Sequence, residues 1–188
     1  MKKTFFFLLI IFPSLATLYA QDDAAMKAWT DFITPGDMHK WMAKAEGTWT
    51  GEVNTYMDPS NPTKSLVSAT YKMLYNGLFQ SGEMKGDMMG QAFEGQGILA
   101  YDNAKKQFVN TWIDNMGSGV IYMTGEFDTK TNTLHLKGTQ TDPLTQKDAH
   151  IRQEIKFLDD DTQTTTMYGV GMDGMEMLMM DIVLRRVR

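Results

Sequence analysis

The spacing of hydrophobic and polar residues changes period once along this chain, at Gly47. Beyond it the period is two: Trp49, Gly51, Val53, Thr55 and Met57 make one mostly apolar face, and Thr50, Glu52 and Asn54 make the other. The alternation returns in Val67, Ala69, Tyr71, Met73 and Tyr75, and in Ile121, Met123 and Phe127. It is cleanest in Ile151, Ile155 and Phe157, set against His150, Arg152, Glu154 and Lys156. Successive side chains of a strand point to opposite faces, so this pattern predicts a sheet with one wet face and one dry face.

The separators carry turn chemistry: Asp58-Pro59, Asn76-Gly77, Asp102-Asn103, Asn115-Met116-Gly117, Asp128 to Asn132, Asp142-Pro143, Asp159 to Asp161 and Asp173-Gly174. Gly, Asn and Asp accept the positive φ of tight hairpins, and Pro presets its own φ. These breaks predict strands near 47–57, 64–75, 78–88, 91–101, 106–114, 119–127, 132–140, 148–158, 162–170 and 176–187. Links this short make neighbours antiparallel, and closing the sheet removes its exposed edges. The expected fold is therefore all-β: an up-and-down closed antiparallel barrel of about ten strands with a short N-terminal helix. A two-sheet sandwich is the alternative, but no Greek-key crossover is visible in the link lengths.

Before Gly47 the period is helical. Residues 22–32 suggest one loose helical turn or two, with Ala25, Trp29 and Phe32 roughly on one side. In the next segment Thr34 can cap, Pro35 suits a first helical position, and Asp37 suits the positive end of the helix dipole. Met38, Trp41, Met42 and Ala45 then share a face, and so short a helix needs something to pack on, most simply the mouth of the barrel.

Residues 1–20 read as a signal peptide: Lys2 and Lys3, an apolar run from Phe5 to Phe12, and Ala20 before Gln21-Asp22-Asp23. Leu18 at the third position before the cut leaves cleavage after Ala16 open, and an uncleaved anchor is the other alternative. The apolar run is shorter than the roughly 20 residues of a spanning helix. The expected division is a signal peptide over 1–20, a helical segment over 21–46 and the barrel over 47–188, in a periplasmic or secreted protein with no stable membrane insertion after cleavage.

Losing Lys2 and Lys3 leaves 16 basic against 23 acidic residues, a net charge of −7. Nucleic acid is an improbable partner for such a chain, because its phosphates require a basic stripe. There is no cysteine, so neither a disulfide nor a thiol nucleophile is available.

Pro35-Gly36-Asp37-Met38-His39-Lys40-Trp41, Gly47-Thr48-Trp49-Thr50-Gly51, Gln91-Ala92-Phe93-Glu94-Gly95 and Thr111-Trp112-Ile113-Asp114-Asn115-Met116-Gly117 occur in that order. Together they resemble the bacterial family called domain of unknown function 1579, over about residues 35–187. The resemblance implies an exported β-barrel and supplies no reaction. More distantly, Gly47-Thr48-Trp49 resembles the Gly-x-Trp that opens lipocalin and calycin barrels, where an Arg from the last strand covers the indole. Arg185 or Arg186 could play that part here, closing the barrel over Trp49. Unlike lipocalins, the chain ends at its last strand without a C-terminal helix, and it has no disulfide.

Candidate chemistry is sparse. Strand parity turns His135 and His150 outward, only His39 could approach the barrel mouth, and all three are expected at the surface. No histidine pair has metal-ligand spacing, so no metal site is expected. Resembling nitrobindin-type barrels bind haem through a histidine near the chain end, but residues 176–187 contain none, and ligation would fall to Met or Tyr. Thioethers can hold Cu(I), and Met84, Met88, Met89, Met172, Met175, Met177, Met179 and Met180 are abundant. Met177 and Met179 should share one strand face and Met180 the other, which suits packing or pocket lining better than chelation. Neither haem nor copper is therefore expected as a cofactor.

Tyr71, Met84, Tyr101, Trp112, Asp114 and Met123 are the candidate lumen residues. Asp114 shares a face with Phe108, Asn110 and Trp112, so it could act as a general acid or base, or simply open the Asp114 to Gly117 turn through nearby backbone N–H groups. No catalytic constellation accompanies it. The expected function is an exported barrel binding a small apolar or amphipathic molecule in its lumen. The alternatives are a hydrolase or isomerase working through Asp114, or a packed barrel serving as a protein-interaction module.

Overall fold

The structure is a computed structural model that describes residues 16–188 except 59, 89, 172 and 173, with side chains described from residue 22 onward. Most of the expected signal peptide, residues 1–15, and also Met89 and Met172 lie outside the described residues.

The chain forms two compact units, Met1–Ile33 and Thr34–Arg188. In the first, α1 (Ala16–Ile33) is one continuous helix, longer than the loose turns expected over 22–32. Ala20, Ala24, Ala25 and Ala28 favour helix intrinsically, and Lys27 pairs with Asp31 one turn on at 2.5 Å.

The second unit is the barrel. Its strands are β1 (Gly47–Thr55), β2 (Thr63–Leu74), β3 (Phe79–Met88), β4 (Gln91–Asp102), β5 (Gln107–Asp114), β6 (Ile121–Asp128), β7 (Thr133–Asp142), β8 (Lys147–Asp159), β9 (Thr162–Val170) and β10 (Glu176–Arg186). Each pairs antiparallel with its sequence neighbours, and β1 pairs with β10 from Trp49↔Arg186 to Thr55↔Met180, so the sheet closes on itself. That closure, with no edge strand left, rules out the sandwich. Asn76 and Asn132 take positive φ at hairpin turns, whereas Lys106 and Gln146 do so in loops opened by Asp102 and Asp142. Those two aspartates accept hydrogen bonds from Ala104 N–H and Leu144 N–H, which fixes the turn locally.

One end of the barrel is plugged by α2 (Asp37–Ala43). The helix starts two residues later than expected: Gly36 rather than Thr34 is its N-cap, and Pro35 lies outside it. Trp41 enters the barrel and meets Phe108, Phe127 and Phe157 at ring distances of 5.8, 4.9 and 5.5 Å, while Met42 and Ala45 are buried beside it.

His39 corrects the sequence expectation of a surface histidine, being only 2% exposed. Its Nδ1 accepts the Gly36 N–H at 3.0 Å, and its ring stands edge-on to Tyr101 at 5.8 Å. Burial pushes its pKa below the ordinary 6.5. A helix lying on a sheet buries one stripe, but a helix set into a ring of strands is covered on neighbouring faces too.

The strand alternation fails once near the open end. The register of β10 against β9 slips between Leu178 and Met180, a β-bulge that leaves Met179 without a partner. Met179 Cγ lies in the inward space above Gly169, next to Ile151, and Met180 also faces the lumen. The expected division of Met179 and Met180 between opposite faces is therefore corrected.

Candidate functional site

Above the α2 plug the barrel encloses a cavity of about 240 Å³. At about 30 Å³ per water this equals roughly eight waters, or on the order of a dozen non-hydrogen ligand atoms. That is slightly below the usual range of ligand pockets.

One wall is aromatic, and its construction can be read from the register. Tyr71, Gly82, Gly97 and Trp112 are successive cross-strand partners on β2, β3, β4 and β5. A Cβ on Gly82 would lie 2.8 Å from Tyr71 Cε1, and one on Gly97 would lie 2.8 Å from Trp112 Cε3. A Cβ on Gly95 would meet the opposite edge of the same benzo ring, at 2.9 Å from Cε2. Trp112 thus reaches sideways from β5 onto β4 and spans two glycines along that strand. Both directions lie within the sheet, so the indole lies along the wall and turns one face to the lumen.

Asp114 holds that indole in place. Its Oδ2 accepts the Trp112 Nε1–H at 2.9 Å, and its Oδ1 accepts the Met116 N–H at 2.9 Å. Asp114 borders the cavity, but each oxygen already has a structural partner. Tyr71 also borders it, and burial pushes the phenol pKa up to about 12, so it is a neutral hydroxyl at physiological pH.

The facing wall mixes amides with apolar side chains. In a ten-strand ring β8 and β9 stand five places from β3 and β4, and they contribute Gln153, Gln163 and Thr165 to the cavity; β7 adds Gln140. Asn110 Nδ2 reaches Gln153 Oε1 at 3.5 Å. At the plugged end Gln80 donates to the Met42 carbonyl. Oε1 of Gln163, a residue 6% exposed, and the Nε1–H of Trp41 are buried without a hydrogen-bond partner. Among the described residues lining the cavity, Asp114 is the only one formally charged at neutral pH.

Of the six candidate lumen residues, Tyr71, Met84, Trp112, Asp114 and Met123 border the cavity. Tyr101 does not border it. It packs against His39 and, at 4.9 Å, against Phe108, so it belongs to the plug. The sequence pattern places Asn110 on the inward face, but the glutamines were missed because polar residues were assigned to the wet face. Parity did hold a signal: Gln153 shares its face with Ile155 and Phe157. Met88, Met116, Met167 and Met180 line the cavity towards its open end. Among the described residues no group of three or more His, Asp or Glu side chains could hold a metal ion.

At the closed end Trp49 is fully buried and donates its Nε1–H to the Ala45 carbonyl at 2.7 Å. Arg186, rather than Arg185, covers its ring, with the guanidinium carbon 4.2 Å from the ring centroid.

A family model described as "Protein of unknown function (DUF1579)" matches residues 34–186, the whole barrel unit but its last two residues. No curated protein matches the chain. Among solved structures it is similar to Rv2717c from M. tuberculosis, with a TM-score of 0.63 and 12% identity over 82% of this chain and 100% of that one. It is also similar to the S-type phycobiliprotein lyase CPES from Guillardia theta, with a TM-score of 0.56 and 9% identity over 81% of this chain and 94% of that one. At such identities the likeness is one of fold.

Proposed function

Because the chain belongs to the DUF1579 family, which brings no reaction with it, we propose from the lumen itself that this protein binds one small amphipathic molecule inside its barrel, and does so outside the cytoplasm. The observation that carries the reading is the cavity of about 240 Å³, lined mostly by apolar and aromatic side chains with a few amides among them. A lumen meant only for packing would be filled by its own side chains. A barrel shared with a phycobiliprotein lyase is compatible with a small-molecule guest.

Catalysis through Asp114 is the weaker reading. Both Asp114 oxygens orient structural N–H groups, and among the described residues lining the cavity no Lys, Arg, His or second carboxylate stands with it to share acid–base work. Export rests on the N-terminal pattern of Lys2, Lys3 and the following apolar run.

Native mass spectrometry of protein isolated from the extracytoplasmic fraction tests both parts. The expected result is a mature chain starting at Gln21 that carries a retained small molecule. A chain that keeps residues 1–20 defeats export. Empty protein, whose tryptophan fluorescence also ignores a broad panel of small amphiphiles, defeats lumen binding in favour of a surface-partner role.

A further inference from the structure

We propose that the guest is a planar, bicyclic aromatic molecule without a negative charge and with a hydrogen-bonding group on its edge, stacked on the Trp112 indole and addressed at that edge by the amides of β8 and β9. The inference rests on the lumen-binding reading above and narrows it to a chemical class.

Flatness follows from the wall. Gly95 and Gly97 leave no side chain under the Trp112 ring, so the indole lies along β4 and offers its open face to the cavity, with Tyr71 leaning over Gly82 beside it. Asp114 locks the indole by its Nε1–H, so this face is fixed before any guest arrives. A rigid π face rewards a second flat π system, which touches it over its whole area, more than a puckered ring or a chain of equal volume. The space of about 240 Å³ suits a guest of roughly two fused rings.

The exclusion of anions follows from the charges. No Lys, Arg or His side chain lines the cavity among the described residues, and the one carboxylate there, Asp114, is oriented but not neutralised by its bonds to Trp112 and Met116. A carboxylate guest would leave water without finding a counter-ion, which is costly. The edge group follows from the opposite wall, where Gln153, Gln163 and Thr165 border the cavity, and where Gln163 Oε1, covered and without a protein donor, gains one if its amide turns towards a guest. A guest hydroxyl or ring N–H can donate to such an oxygen.

The test is isothermal titration of the purified, ligand-stripped protein with 1-naphthol, decahydro-1-naphthol and 1-naphthoate, which share a skeleton and differ in flatness or charge. 1-Naphthol should bind at least tenfold more tightly than either of the others. Trp112→Leu should abolish the preference for the flat alcohol, and Trp112→Phe, which keeps a ring in the same place, should retain part of it; circular dichroism checks that both variants are folded. Equal binding of the decahydro alcohol overturns the planar class while leaving lumen binding intact. Tighter binding of 1-naphthoate overturns the exclusion of anions. If no member of this set binds while the native protein carries a different retained molecule, this inference fails and the reading above stands; if it carries nothing either, both fail.

Discussion

Arg186 and Trp49 face each other across the seam that closes the barrel: they are register partners on β10 and β1, and the guanidinium lies over the buried indole at 4.2 Å. The same guanidinium donates to the carbonyls of Lys44, Glu46 and Asp160, so it joins the end of the plug segment, the last strand and the β8–β9 turn. Trp49→Ala should cost about 3 to 5 kcal/mol, as truncation of a buried aromatic does. Arg186→Lys should lose most of what Arg186→Ala loses, because an ammonium cannot donate to several carbonyls in a fixed fork. Urea denaturation of the three variants measures this; unchanged midpoints would show that the seam closes without this pair.

Stability should fall on both sides of neutral pH. His39 is buried and neutral in the fold, with a pKa held below 6.5, so as the pH drops through 6.5 the unfolded chain takes up a proton that the folded one refuses. Stability is lost from there down to the folded-state pKa. Tyr71 works in the opposite direction: the unfolded phenol ionises near 10 and the folded one near 12, so stability is lost as the pH rises across that interval. His39→Gln should flatten the acid limb and Tyr71→Phe the alkaline limb of a plot of unfolding free energy against pH. Limbs identical to wild type would show that other groups set them.

The strands and their inward faces could be read from the sequence because a barrel enforces period two on every strand, and Asp, Asn, Gly and Pro mark the turns. Three features were not legible. The bulge at Met179 adds one residue to one strand, and composition does not announce it. His39 escaped because a single apolar stripe describes a helix lying on a surface, and α2 is instead enclosed by strands. The glycines opposite Tyr71 and Trp112 carry no side chain to mark a face, and their role depends on which strand lies beside which. Arg186 was legible only together with Arg185, and the register decides between them.

Asp114 separates the structural reading of the lumen from the catalytic one. In Asp114→Asn one carboxylate oxygen becomes an NH₂ group, so either the Trp112 Nε1–H or the Met116 N–H loses its acceptor. The cost should be about 1 to 3 kcal/mol. The indole N–H resonance of Trp112 or the amide resonance of Met116 should shift and broaden in a ¹⁵N correlation spectrum, and guest affinity should fall where the indole is the one released. If both resonances are unchanged, the carboxylate does not hold the indole and the turn, and the structural reading fails.

Tyr71 and Gly82 should be coupled. A methyl at residue 82 would meet no backbone, only the Tyr71 ring at 2.8 Å, so Gly82→Ala must displace that ring from the wall. Overpacking of this kind costs about 1 to 3 kcal/mol. Once the ring is gone the sign should reverse: in a Tyr71→Ala background the same methyl has room, and Ala is preferred to Gly within a strand by about 0.5 to 1 kcal/mol. A double-mutant cycle by urea denaturation should therefore give a coupling energy of at least about 1.5 kcal/mol, near the middle of the range for residues in contact. Additive effects would mean that the ring does not lean on Gly82, and with that the construction of the aromatic wall would fall.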